Sequence, residues 1–217
     1  MEASFWHQKW ERGDIGFHKS EANPLLEVHF EKLNLEKGAR VLLPLCGKTL
    51  DIAWLLARGY RVVGVELSAL AIKQLFEELG LEPEIVAIGA SAHYSAKNID
   101  IFVGDIFDMS AKYLGPVNAI YDRAALVALP ADTRHKYAAH LTDLTEAAPQ
   151  LLISYEYDQS RMDGPPFSVD EDEVMRLYGA TYTLKPVERK NVVGGLKGKV
   201  VAAETVWLLY QTGNQVS

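Results

Sequence analysis

From residue 40 onward the chain alternates short apolar runs with helical segments, and this alternation restricts the fold more than any other feature. Residues 40–45 (RVLLPL) form an apolar run, 49–58 show helical spacing ending at Gly59, and 60–65 (YRVVGV) form a second run. Ser68 is placed to cap a helix over 69–79 that stops at Gly80. Further strands are expected at 99–104 (IDIFVG), 117–121 (VNAIY) and 150–155 (QLLISY), with a long amphipathic helix over 132–146 between the last two. Strands separated by helices pair in parallel through crossovers, and such a sheet is covered on both faces. The tail differs: Ser168 with Glu171 three residues on reads as a capping box, and Gly179 ends that helix. Residues 181–188 and 200–210 are rich in β-formers and joined through Gly194–Gly195, which reads as an antiparallel terminal pair. The expected fold is therefore α/β: a doubly wound, Rossmann-like, seven-stranded mixed sheet of five parallel strands plus that pair, with helices on both faces.

Residues 1–35 read as an N-terminal helical segment and 36–217 as the main domain. Trp6 and Trp10 lie four apart, on one helical face if Ser4 caps a short helix, and the stretch from Gly13 to Pro24 interrupts it before 25–33 resume a helical pattern. At 217 residues the chain has length for one domain with an appendage. Its single cysteine, Cys46, forms no intramolecular disulfide, which agrees with a reducing cytoplasm. A net charge of −7 disfavours a general grip on nucleic acid. No apolar stretch is long enough to span a membrane, the N-terminal MEASFWHQKWERGD carries no secretory h-region, and a monomer is expected since no heptad is evident.

In an open sheet of this kind ligands bind beyond the carboxyl ends of the strands, so the residues just after each run are the candidates. After the first lies Leu45-Cys46-Gly47-Lys48-Thr49. Its GKT suggests a P-loop, but position 42 is Leu where that loop needs glycine, and one glycine cannot supply the G-x-G-x-x-G that approaches a diphosphate. After the second stands Glu66, which suits a ribose diol or is a solvated strand-end carboxylate. After the third come Asp105 and Ile106, able to accept from an exocyclic amine and pack on a purine, or else an ordinary turn. After the fourth comes Arg123, which would face the cleft or end in a surface ion pair. This describes an adenosine site without a phosphate device, and the ligand it suits is S-adenosyl-L-methionine. The N-terminus of the first helix, near 48–50, is a candidate for the carboxylate of that ligand.

At PLCGKTLDIAWLLARGYRVVGVELS the chain resembles the thiopurine S-methyltransferase family, bacterial members included. The W-x3-W followed by Gly16-Phe17-His18, the Asp122-Arg123 segment and Gly164-Pro165-Pro166-Phe167 extend the resemblance over nearly the whole chain. It implies a class I methyltransferase sheet with the N-terminal segment over the cofactor cleft. It also implies Trp10, Leu45 and Gly47 beside the cofactor, Glu66 on the ribose, and Arg123 near both cofactor and acceptor. The Glu188-Arg189 pair resembles a late Glu-Arg of the family, where the arginine is implicated in substrate contact. The activity implied is methyl transfer to an aromatic or heterocyclic thiol such as a thiopurine; bacterial members are also linked to selenium and tellurium methylation and tellurite resistance. A nucleotide-dependent oxidoreductase and a non-catalytic cofactor-binding protein are the alternatives.

A thiolate is the reactive form of a thiol, and a fixed cation favours it, which makes Arg123 the electrostatic candidate. Phe17 and His18, in the break after the tryptophans, are candidates for the acceptor pocket. Aromatics four apart on a helix are commonly packing, and only the resemblance moves Trp10 from that reading to the cofactor. Cys46 reads as a small buried residue, the six histidines show no zinc-ligand spacing, and 170–173 (DEDE) reads as a solvated helix start, so no metal is expected.

Overall fold

A computed structural model describes residues 3–213 of the chain. Residues 1–2 of the expected N-terminal segment, which also open the stretch read for a leader, and 214–217 of the expected main domain lie outside the described residues. Two compact units divide the chain, Met1–Ala119 and Ile120–Ser217.

The first unit opens with helix α1 (Ala3–Glu11), helix α2 (Pro24–His29) and a 3-10 turn, Phe30–Leu33. Strand β1 (Arg40–Pro44), helix α3 (Asp51–Ala57), strand β2 (Arg61–Glu66) and helix α4 (Ala69–Leu79) follow. Strands β3 (Glu84–Ile88), β4 (Ser91–Ala96) and β5 (Ile99–Val103), a 3-10 turn at Ile106–Asp108 and helix α5 (Ala111–Leu114) complete it. Its strands run in the order β3-β4-β5-β2-β1. β1 pairs with β2 and β2 with β5 in parallel, whereas β3–β4 and β4–β5 are antiparallel. Every residue of β2 after Arg61 is buried, as is every residue of β1 after Arg40, so both faces of these strands are covered. The helix ends follow the sequence closely at α4. Ser68 Oγ accepts from the Ala71 amide at 3.2 Å, and Gly80 closes the helix in the left-handed region at φ 65°. Ser4, expected to cap the first helix, lies inside α1 instead.

The second unit carries strand β6 (Ala119–Arg123, whose first residue closes the first unit), a 3-10 turn at Leu126–Ala128, helix α6 (Ala131–Leu144) and strand β7 (Gln150–Tyr157). A 3-10 turn at Gln159–Arg161, helix α7 (Glu171–Tyr178), and strands β8 (Tyr182–Asn191) and β9 (Ala202–Gln211) follow. The order is β6-β7-β9-β8, with β6–β7 parallel and the other pairs antiparallel. The five strands expected to run parallel and the terminal pair all form. A β-bulge between Pro186 and Glu188 accommodates a proline that has no amide to donate.

Nine strands are present among the described residues, not seven. The two extra ones are β3 and β4, a hairpin inserted between α4 and β5. All of β3 but Ile88 is exposed and no residue of β4 is fully buried, so neither shows the apolar alternation of a half-buried strand. Two helix starts also differ. α3 begins at Asp51, because the Thr49 amide bonds back to the Cys46 carbonyl in the preceding turn. α7 is capped by Asp170, which accepts from the Glu173 amide at 2.8 Å, while Ser168 is diverted to accept from the Tyr157 amide. The acidic run is not simply a solvated helix start: Glu173 forms a bidentate pair with buried Arg134 at 2.7 and 3.0 Å, and that guanidinium also donates to the Leu129 carbonyl.

Candidate active site

The residue after β1, Leu45, takes φ 46°, a left-handed conformation that costs a residue with a Cβ about 1–2 kcal/mol. It turns the chain sharply, so that Cys46 points inward and the Gly47 amide points at β2. Glu66, the last residue of β2, receives that amide on Oε2 at 2.8 Å and the Ser68 amide on Oε1 at 2.9 Å. The carboxylate is 6% exposed, which removes the reading of a solvated strand end. Burial pushes the Glu66 carboxyl up; the amides of Ser68, Gly47 and Leu67, and the charge of His7, oppose that. A carboxylate has about four lone-pair sites, and with three amides on this one there is capacity left for a donor from a ligand hydroxyl.

Gly47 is at φ 53°, and a Cβ there would lie 3.0 Å from Cζ2 of Trp10. Trp10 is 5% exposed and meets Phe17 edge-on at 5.6 Å; Trp6 meets the same ring at 6.0 Å. The N-terminal segment therefore packs its Trp10 on the glycine after the first strand, while Trp6 takes the packing role expected of it. His18 is half-buried beside Phe17, and its amide donates to the Ile15 carbonyl at 2.7 Å. Asp105 is exposed and caps the turn it opens, accepting from the Phe107 amide at 3.0 Å, and Ile106 is buried beneath it. Lys48 pairs with Glu78 of α4 at 2.6 Å. At the start of α3, buried Asp51 accepts from the Asn23 amide at 2.7 Å.

Cys46 is buried, and a Cβ on Gly64 of β2 would sit 2.7 Å from its sulfur. Burial pushes the thiol up, and the neighbouring Glu66 charge adds to that, so it is poorly suited to form a thiolate.

The first unit thus brings Trp10, Leu45, Gly47 and Glu66 into one constellation. Arg123 belongs to the second unit, at the end of β6 and half-buried. Its charge partly offsets the rise that burial and Glu204 impose on the Tyr155 hydroxyl of β7. Arg189 of β8 is exposed and pairs with Glu156 of β7 at 3.0 Å. Sequence reasoning singled out neither Tyr155 nor the acid preceding Arg123 as a separate group. Asp122 is fully buried and accepts from the Leu126 amide at 3.0 Å and the Tyr137 hydroxyl at 2.7 Å. A charged residue at a core-facing position of an apolar strand was the signal available for it. Among the described residues no group of three or more His, Cys, Asp or Glu side chains is placed to hold a metal ion, and no helix is long and apolar enough to cross a membrane.

The family model for thiopurine S-methyltransferase matches residues 1–211. The chain belongs to the thiopurine S-methyltransferase family. A thiopurine S-methyltransferase of Xanthobacter autotrophicus is 54% identical over 96% of this chain and 99% of its own length. One of Teredinibacter turnerae is 51% identical over 99% and 100%. Among solved structures, a Burkholderia thailandensis 1,6-didemethyltoxoflavin-N1-methyltransferase with bound S-adenosylhomocysteine superposes with a TM-score of 0.65. It covers 96% of this chain and 87% of its own, at 18% identity, a likeness of fold. As a member of the family the chain is a methyltransferase, and its cofactor is S-adenosylmethionine. The residues present fit that group. Glu66 offers a buried carboxylate with open lone pairs, and the first loop has one glycine where a diphosphate would need three.

Proposed function

We propose that the chain methylates the sulfur of a small aromatic or heterocyclic thiol, with thiopurines as the test substrates and selenium or tellurium species as further acceptors. The reading is supported above all by the Glu66 carboxylate, held in the core at the end of β2 by backbone amides with acceptor capacity left over. In this reading Glu66 receives the ribose hydroxyls, Asp105 and Ile106 take the adenine, and Trp10, Leu45 and Gly47 flank the cofactor. Residues 1–35 act as a lid segment on a 36–217 catalytic domain. Bound S-adenosylmethionine supplies an electrophilic methyl on a sulfonium centre that departs as a neutral thioether.

The protein's own task is then to orient the acceptor and keep it anionic. Arg123 is the fixed cation for that purpose: it stays protonated and lowers the pKa of a thiol beside it. Phe17 and His18 line the acceptor's aromatic face, and Arg189 offers a second, exposed cation. Because Cys46 is buried and resists ionisation, transfer is direct, without a covalent enzyme intermediate. The proton leaves to water, or has left an acidic thiol beforehand. The chain works as a monomer in the cytoplasm.

The test is single-turnover methyl transfer from radiolabelled donor to a panel of thiols, selenols and tellurite. Transfer to aromatic thiols is expected, with losses in Arg123→Ala that grow as the acceptor becomes less acidic. Donor binding without transfer to any acceptor would point to a binding protein and overturn the proposal.

A further inference from the structure

Arg123 is followed at once by Ala124 with φ 63°, a conformation that residues with a Cβ seldom adopt. Such a turn persists only where its surroundings over-determine it, and here the determinant is Asp122. Neighbouring residues of a strand point to opposite faces, so an inward Asp122 commits Arg123 to the other side. Asp122 Oδ1 accepts from the Leu126 amide at 3.0 Å, the Ala125 amide bonds to the same carboxylate, and Oδ2 accepts from Tyr137 Oη at 2.7 Å. Three donors therefore converge on one fully buried carboxylate. Two are the amides immediately beyond the strained residue, and the third is a hydroxyl anchored on α6. Without the carboxylate both amides, which belong to buried residues, would lose the acceptor that ties them back to the end of β6.

We propose that Asp122 is a positioning residue for methyl transfer: it fixes the 122–126 turn and, through that turn, the direction in which Arg123 presents its guanidinium. This rests on the role given to Arg123 above. The titratable groups facing Asp122 are the buried hydroxyls of Tyr137 on α6 and Tyr178 on α7, and no cation faces it among those that set its ionisation. Its charge is held by hydrogen bonds alone, so its function here is to shape backbone and not to pair with Arg123.

The experiment is a double-mutant cycle on the full chain, reading kcat for an aromatic thiol and donor affinity by calorimetry, on fractions shown to be folded by circular dichroism. Asp122→Ala is expected to lower kcat about tenfold or more while donor affinity changes less than about twofold, since a misplaced group costs rate through lost orientation. In the Arg123→Ala background the same change is expected to cost nothing further. Asp122→Asn, which keeps an acceptor oxygen for the amides, is expected to restore most of kcat. Tyr137→Phe repeats the cycle more gently, with a loss of about threefold that also vanishes in the Arg123→Ala background, and decides the matter if Asp122→Ala does not fold. An undiminished kcat in Asp122→Ala, or losses that add independently to those of Arg123→Ala, would overturn the proposal while leaving the role of Arg123 intact. An Arg123→Ala variant with full activity would overturn both, and is told apart by that single measurement.

Discussion

Glu66 and Gly47, nineteen residues apart, are joined by a hydrogen bond of 2.8 Å from the glycine amide to the carboxylate. The bond ties the end of β2 to the loop after β1 and gives the carboxylate its orientation before any ligand arrives. Glu66→Gln keeps an acceptor for one amide but loses the charge and one lone-pair acceptor. Hydrogen bonds to a charged group are worth about 1.5–3 kcal/mol, so donor affinity is expected to fall by a factor on the order of ten or more. Isothermal titration with S-adenosylmethionine checks this; unchanged affinity would remove Glu66 from the site.

Asp122 gives stability a distinct dependence on pH. Burial raises its carboxyl from 3.8 to about 6, against the opposing pull of the Leu126 and Ala125 amides and Tyr137. A raised folded-state value means the contribution of this group is fully present below its unfolded value and is lost as pH rises through about 6. The loss between about pH 4 and 7 is on the order of 3 kcal/mol. Urea denaturation of the protein and of Asp122→Asn across that range is expected to show the stability difference shifting in favour of Asn as pH rises. Parallel curves would contradict it.

The Arg134–Glu173 pair is nearly desolvated, and breaking such a pair from one side strands a charge. Glu173→Leu is expected to cost about 3–5 kcal/mol, whereas Arg134→Met combined with Glu173→Leu is expected to cost far less. Equal losses in the single and double variants, read from denaturant midpoints, would show that the pair is not the cause.

A methyl added at Gly64 has no room, since its Cβ would lie 2.7 Å from both Cys46 Sγ and Ile101 Cδ1. Gly64→Ala is expected to lower stability by about 1–3 kcal/mol and to be rescued in part by Cys46→Ala. The buried thiol itself is expected to react with a maleimide only on unfolding, at a rate that follows the unfolding equilibrium. Fast labelling of the native protein would show that the sulfur is accessible.

Trp10 is expected to report cofactor binding. Its indole lies on Gly47, and the stretch that follows its helix, between α1 and α2, lacks regular structure. Amide exchange over residues 5–20 is expected to slow when S-adenosylmethionine is added, and unchanged protection would separate this segment from the site.

What the sequence made legible were features that local chemistry decides. Ser68 and Gly80 bracket α4 because a hydroxyl cap and a left-handed glycine act within a few residues. β1 and β2 are apolar but for the charged residues at their ends because they are covered on two faces. The hairpin of β3 and β4 escaped because β3 is largely exposed and β4 only half-buried, leaving only Pro83, a β-branched EIVAI run and Gly89 as marks. Ser168 with Glu171 reads as the cap in the sequence, and the demand of the Tyr157 amide on the Ser168 hydroxyl leaves the capping to Asp170. Among the candidate residues, the positions of Leu45, Glu66 and Arg123 at or just beyond a strand end followed from the alternation of strands and helices. The left-handed turns at Leu45 and Ala124 did not, since neither residue type advertises one. Nor did the tie from Arg134 to Glu173, thirty-nine residues away.

The inserted hairpin leaves β3 at the end of its unit's strand order, with Ile85 and Val86 turned outward. One row of its main-chain donors and acceptors has no neighbouring strand in that order, and an outward apolar strand with such a row is a template for another copy of itself. Mutual repulsion between molecules that each carry seven excess negative charges opposes such pairing. That repulsion reaches only about 8 Å in physiological salt and about 3 Å at molar salt. Concentrated stocks of this protein will stay clear in dilute buffer and turn cloudy as sodium chloride is raised, with scattering that a charged replacement at Val86 abolishes.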